Sequence, residues 1–343
     1  MTRTFIAAVV LVGLTGIGVA AQRGQFPPPP NGAPPPPQGG FGGRGGPGGP
    51  GGRGGGPDGL GGLNVPESNP LTPEKIALGR KLFFDTSLSI DRSTSCATCH
   101  DPAKAFADSN ALAIGIHNTK GTRNSPTLVN AGNGRVFFWD GRADSLEAQA
   151  LQPMINPKEM GLSDADIEKR TGLKAVDVTN ALASYVRTIR SHESRVDYFR
   201  AGQTEMLSPD EKAGFEIFRG KGQCGPCHGG PNFTDDRFHN TGVGFRANAT
   251  NPDEGRYAVT HDERDRAAFK TPTLREVALT APYMHDGSLA TLDDVVEFYS
   301  KGGVRNPGQD PRMRPLNLSA DEKRQLVAFL KALSGRITEG LPK

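Results

Sequence analysis

The chain has 343 residues, of which 35% are hydrophobic and 22% charged, and a formal charge of +3. Arg3 carries one unit of that charge, and Arg23, Arg44 and Arg53 against Asp58 carry two. Residues 64–343 are therefore formally neutral, which disfavours a nucleic-acid binder with its basic stripe, and no apolar run after residue 21 reaches the ~20 residues of a crossing helix, which excludes a multi-span membrane protein.

Residues 1–21 read as a secretory signal, with Arg3 at the positive end, Phe5–Ala20 as a short apolar region and Val19-Ala20-Ala21 as a small-residue cleavage site. Gly13, Gly16 and Gly18 interrupt the apolar region and tell against an uncleaved anchor. The mature chain is expected to be exported to the periplasm without a membrane span. Residues 22–63 hold 18 Gly and 11 Pro, too little apolar surface to offset the entropy of ordering, so a disordered Pro/Gly-rich linker is expected there.

The folded part begins near residue 64. Thr72-Pro73-Glu74 opens a predicted helix that runs through Ile76 to Phe83, with proline in the first turn. Val178, Leu182, Val186 and Ile189 mark another helix at the right period. Ser208 and Glu211 form a capping box before a helix that stops at Gly220, and Ser319 and Glu322 form one before an amphipathic helix carrying Leu326, Val327, Leu330 and Leu333. Strand alternation is scarce.

The four cysteines occur only as Cys96-Ala-Thr-Cys99-His100 and Cys224-Gly-Pro-Cys227-His228. Cys-x-x-Cys-His is the attachment signature of c-type haem. Two thiols three positions apart reach both vinyl groups of one porphyrin, and the adjacent histidine is carried beneath the ring as the proximal ligand. A redox dithiol would sit in a strand-rich βαβ pattern, which neither motif does. A shared four-cysteine zinc site would need halves 128 residues apart, unlike the short spacings of zinc ribbons. Two covalent haem c groups are expected, and with them a mainly α fold of two cytochrome c-like domains, residues 64–205 and 206–343, each around one haem and with little β.

The remaining motifs resemble the bacterial di-haem cytochrome c peroxidases and their MauG-like relatives. The resemblance covers nearly all of residues 66–338. It rests on Gly79-Arg-Lys-Leu-Phe-Phe-Asp85, Gly121-Thr-Arg-Asn-Ser-Pro-Thr127, Phe138-Trp-Asp-Gly-Arg-Ala143, Gln149 and Asn156-Pro-Lys-Glu-Met160, then on Phe269-Lys-Thr-Pro-Thr-Leu274 and Ala281-Pro-Tyr-Met-His-Asp-Gly287. It implies that the amino-terminal haem meets hydrogen peroxide and that the carboxy-terminal haem stores or relays an electron from a small cytochrome c or cupredoxin. It also implies His100 and His228 as proximal ligands, and Glu159 and Gln149 as distal groups over the first haem. A carboxylate there can move the proton that peroxide cleavage requires. Trp139, the only tryptophan, is implied to lie between the haems, a place also suited to simple packing. Asn124 and the carbonyls of Thr280 and Pro282 match a calcium site, an oxygen-only set suited to that ion.

Two positions decide the subfamily. The distal ligand of the second haem falls 14 residues after His285, at Tyr299, where MauG-like proteins have tyrosine and the better-known peroxidases methionine. Met284 is the rival ligand, in a place more suited to packing. For the first haem, the removable distal histidine of activatable peroxidases falls on Ile116, with His117 one residue nearer Arg123. His117 either reaches iron through a shifted loop or is a loop histidine. His239 in Phe238-His-Asn-Thr-Gly242 lacks a constellation in the sequence, with structural and surface roles preferred over proximity to a haem propionate. Three functions are implied: a peroxidase fed by a small redox protein, a MauG-like oxidase acting on a protein substrate, and a di-haem electron shuttle without chemistry of its own.

Overall fold

A computed structural model describes residues 62–245 and 253–341; the expected signal (1–21) and almost all of the expected linker (22–63) lie outside the described residues. From the amino end, α1 spans Pro73–Phe83, α2 the single turn Cys96–Cys99, α3 Leu146–Ile155, α4 Asp164–Thr171 and α5 Ala175–Val186. Strand β1 (Arg190–His192) and α6 (Arg195–Arg200) lead to α7 (Pro209–Arg219), β2 (Phe238–His239), α8 (Tyr257–Thr260) and β3 (Phe269–Lys270). Helices α9 (Leu292–Ser300) and α10 (Ala320–Lys331) and strand β4 (Arg336–Thr338) follow. The described residues are mainly helical, with strands confined to two short antiparallel pairs, β1 with β4 and β2 with β3. None of their helices is long and apolar enough to cross a membrane.

Local sequence accounts for the helix ends. Thr72 Oγ1 accepts the Lys75 N–H at 3.2 Å to start α1, and reciprocal boxes close the starts of α7 (Ser208 with Glu211) and α10 (Ser319 with Glu322). Helix α5 stops at Val186, short of the expected Ile189. The Thr188 hydroxyl donates to the Tyr185 carbonyl at 2.7 Å, and Ile189 packs fully buried just beyond the end.

Two hydrophobic cores result. The first joins Leu82 and Phe83 of α1 to Leu182 and Tyr185 of α5, and the second joins Ile217 and Phe218 of α7 to Phe329 and Leu330 of α10. Both helix pairs cross at a glycine. A Cβ on Gly79 would lie 1.9 Å from the Ala181 carbonyl oxygen, and one on Gly214 would lie 2.0 Å from that of Gln325. Only a residue without a side chain lets the backbones approach so closely.

The resemblance between the halves extends further. Gly79-x-x-Leu-Phe83 matches Gly214-x-x-Ile-Phe218, Pro126-Thr-Leu128 matches Pro272-Thr-Leu274, and Trp139-Asp-Gly141 matches His285-Asp-Gly287. The last pair sits in matching tight loops, closed by bridges from Phe137 to Ala143 and from Tyr283 to Leu289. The loops exchange backbone bonds across the chain: Asn124 N–H donates to the His285 carbonyl at 2.7 Å, and Lys270 N–H, at the position equivalent to Asn124, donates to the Trp139 carbonyl at 2.8 Å. The chain passes from the first core to the second between Ile189 and Val196, and β4 returns to the first, where Ile337 packs. There Tyr185 donates its hydroxyl to Glu339 at 2.6 Å, and the Gly340 N–H donates to Thr188 Oγ1 at 2.9 Å.

Candidate active site

One cavity of about 720 Å³ is lined by both cysteine motifs, Cys96, Cys99 and His100 from one and Cys224, Cys227 and His228 from the other. None of the four cysteines is in a disulfide. Burial pushes the Cys96 and Cys224 thiols up to about 12 and that of Cys99 up to about 11. A reactive dithiol needs the opposite shift. Buried, uncharged thiols facing a cavity suit addition to a porphyrin's vinyl groups.

The histidines are prepared in the same way at both motifs. His100 Nδ1 lies 3.1 Å from the Phe106 carbonyl oxygen, and His228 Nδ1 lies 3.0 Å from that of Phe233. A carbonyl only accepts, so each Nδ1 carries the hydrogen and each Nε2 keeps a lone pair for iron. Burial holds both imidazoles below their usual range and so neutral at pH 7. Phe106 and Phe233 themselves adopt left-handed backbone (φ 58° and 50°), a conformation that costs a non-glycine residue about 1–3 kcal/mol. The donor set thus fits two c-type haems, with Cys96, Cys99 and His100 holding one and Cys224, Cys227 and His228 the other.

The distal helices share a register. Leu146, Gln149, Ala150 and Pro153 of α3 face the cavity, as do Leu292, Val295, Val296 and Tyr299 of α9, at the same spacing from equivalent Leu starts. Tyr299 therefore takes the place of Pro153, one turn beyond the equivalent of Gln149. Burial foremost, and then the neighbouring Cys224 and Cys227 sulfurs, push the Tyr299 hydroxyl well above its usual range, which sets the phenol beside the second motif. Met284 is the equivalent of Phe138, and both have left-handed backbone (φ 74° and 66°) in the matching loops. Met284 also lines the cavity, but it stands in a loop and not on the distal helix.

Glu159 lies in the turn after α3 and faces the cavity. Asn156 Nδ2 donates to its Oε1 at 2.8 Å. Burial raises the carboxyl above its usual range, while the Arg142 charge and the Asn156 hydrogen bond oppose the rise. The turn is seated tightly: a Cβ on Gly115 would lie 2.0 Å from the Lys158 carbonyl oxygen, and Ile116 N–H donates to the Glu159 carbonyl at 3.0 Å. Arg142 stacks 3.5 Å from the Phe138 ring centroid and is bonded to Asp140 and Gln152. Arg123 joins Asp140 at 2.6 Å and Asp253 at 2.7 Å. Asn156 and Arg142 stood in quoted motifs without an assigned role; Asn156 bonds Glu159 through the turn that follows α3, and Arg142 acts on it through charge.

Trp139 Nε1 donates to the Asn124 carbonyl at 2.8 Å, and its ring lies 6.5 Å from that of His285, which in turn stacks on Phe269 at 3.6 Å. Asn124 donates through Nδ2 to the Asn110 carbonyl at 2.9 Å, and Asn124, Thr280 and Pro282 all line the same cavity. His117 stands elsewhere. Its side chain is 69% exposed, lies 3.4 Å from Asp91 and lines a separate small surface pocket. His239, without a constellation in the sequence, lies between two aspartates in the structure.

Comparison with known proteins follows the same line. A family model described as di-haem cytochrome c peroxidase matches residues 73–176. The methylamine utilization protein MauG of Methylorubrum extorquens is 42% identical over 289 residues, covering 78% of this chain and 80% of the relative. The cytochrome-c peroxidase IdrP2 of Denitromonas iodatirespirans is 38% identical over 313 residues, covering 79% and 84%. Among solved structures, a MauG-like protein associated with microbial copper homeostasis superposes with a TM-score of 0.73 at 33% identity, over 80% of this chain and 92% of that one.

Proposed function

The chain belongs to the di-haem cytochrome c peroxidase family, and on that footing we propose that it is a periplasmic peroxidase of the MauG-like branch, reducing hydrogen peroxide to water with electrons from a small cytochrome c or cupredoxin. The observation that carries the proposal is Glu159, a half-buried carboxylate with a raised pKa, held by Asn156 in the cavity beside the first cysteine motif. Reduction of one peroxide breaks its O–O bond, consumes two electrons and two protons, and releases two waters. The haems, when bound, supply two redox-active irons, one to deliver electrons to peroxide and one to hold an electron in reserve.

The chain's own residues handle the protons and the geometry. Glu159 takes a proton from the near oxygen of peroxide and returns it to the departing one, a general acid–base role served by a pKa raised toward neutrality. Gln149 orients peroxide by hydrogen bonding from α3. His100 and His228, fixed as Nδ1–H tautomers by the Phe106 and Phe233 carbonyls, present Nε2 to the two irons. Tyr299 would hold the iron of the second haem, a role supported by its register on α9 and its closeness to Cys224 and Cys227. Trp139 bridges the two haem sites. Asn124 with the Thr280 and Pro282 carbonyls would hold a calcium ion at this junction. The exposure of His117 supports an amino-terminal haem that is open to peroxide without prior reductive activation.

Stopped-flow mixing of the purified holoprotein with peroxide, followed by turnover with a small cytochrome c, tests this reading. Peroxide consumed catalytically with donor oxidised at two electrons per peroxide supports it. Tyr299 also favours a second reading, because a phenolate stabilises oxidised iron and suits an enzyme that oxidises a protein substrate. That reading requires turnover to depend on one supplied protein and not on exchangeable small donors. Absence of any peroxide consumption would leave only an electron carrier.

A further inference from the structure

His239 on β2 is 12% exposed and lies between two carboxylates, its Nδ1 2.8 Å from Asp310 and its Nε2 3.0 Å from Asp235. Both carboxylates only accept, which makes the doubly protonated ring, an imidazolium, the form that bonds both; Arg312 Nη2 lies 3.1 Å from Nδ1 and shares the same Asp310 oxygen with it. Arg312 binds Asp310 through Nε at 3.0 Å and Nη2 at 2.8 Å, and Lys270 stands 3.5 Å from the neighbouring Asp236. The His239 ring, the Asp235 carboxylate and Cys227 Sγ lie within 4.8 Å of one another. A metal ion is not the natural occupant of that triad, because the Cys227 sulfur is committed to the haem in the reading above. His239, Asp310 and Arg312 line the cavity that the second cysteine motif also lines.

Two carboxylates this close to the second haem would favour ferric iron and hinder its reduction. We propose that His239, with Arg312, neutralises the Asp235–Asp310 pair and thereby holds the reduction potential of the second haem high enough to accept an electron from the donor. His239 is in this sense a positioning residue for charge: it lies beside Cys227 of the haem-bearing segment and would act on the iron through the field inside the shared cavity, where a low-dielectric wall leaves it weakly screened. The inference deepens the proposed function and rests on the second motif carrying a haem.

Redox titration of the full holoprotein, with each haem followed by its own absorption, tests it. His239→Gln removes the cation while keeping a hydrogen-bonding side chain, and the second haem's midpoint potential is expected to fall while the first haem's stays put. Arg312→Gln, at a side chain 44% exposed, is expected to lower the same potential by a smaller amount. An unchanged second potential in both variants, or equal movement of both haems, overturns the proposal. Should His239→Gln fail to hold its second haem, Arg312→Gln decides alone by the same criterion. Mass measurement separates this failure from the other: a wild-type chain lacking the second haem adduct refutes the two-haem reading, whereas an intact adduct with unmoved potentials refutes only the role of His239.

Discussion

Glu159 carries the proposed proton transfer, and its surroundings state how it should respond to pH. Burial raises its pKa, so the carboxylate needed to accept a proton forms only above the ordinary glutamate range, and the acid limb of the peroxide reaction is expected there too. Asn156 bonds the ionised form, so Asn156→Ala should move that limb to still higher pH. Glu159→Gln should abolish the limb and slow the reaction by roughly 10²–10⁴-fold with both haems retained. The sign for stability is the reverse of that for chemistry. A carboxyl with a raised folded pKa contributes fully below its unfolded pKa and loses that contribution as pH rises through the folded value. Glu159→Gln should therefore keep or raise the melting temperature at neutral pH, and a fall in it would trace the lost rate to unfolding. At the second haem, Tyr299→Phe should alter one ferric spectrum and Met284→Leu neither; the opposite pattern would make Met284 the ligand. The cysteines, His100 and His228 were legible because haem attachment demands contiguous residues. The Phe106 and Phe233 carbonyls were not, since both residues are left-handed without being glycine, and the Asn156 bond was not, since it depends on how the turn after α3 aims two side chains.

Helix α1 crosses α5, and α7 crosses α10, at glycines with no room for a methyl group. Gly214→Ala should lower stability by about 1–3 kcal/mol, the usual cost of overpacking, in chemical denaturation followed at the second haem. Capping and period predicted these helices well: Thr72, Ser208 and Ser319 begin where hydrogen bonds to the third residue onward are observed. The periodicity overran only at Ile189, where an apolar residue is buried in the right direction but beyond a helix end set by Thr188. The common register of α3 and α9 was open to inspection in the paired Asp-Gly loops, yet it needed the halves to be aligned with each other. That register is what puts a tyrosine over one motif and a proline over the other. A distal helix that differs at a single turn gives two similar frames two different faces.

The two halves meet at their matching loops, with Asn124 and Lys270 each donating to the other half's loop. Trp139 sits at this junction and is bonded to Asn124, so Trp139→Phe should cost about 1 kcal/mol of stability through the lost hydrogen bond. If the indole also conducts, electron equilibration between the haems should slow in the same variant, and flash photolysis showing an unchanged rate would leave Trp139 a packing residue. The carboxy-terminal segment adds a tie that no motif marked, because a three-residue strand has too few positions to show alternation. Strand β4 pairs with β1, and Glu339 receives the hydroxyl of the fully buried Tyr185. Ending the chain after Gly335 should lower the melting temperature of the first haem's surroundings more than that of the second's. This tie also orders the protein's birth. The half proposed to meet peroxide is closed by a strand that the chain order places after α7–α10 of the other half, so that strand is available only once those helices have been made, and a chain cut short before Arg336 would leave the first half loosely closed.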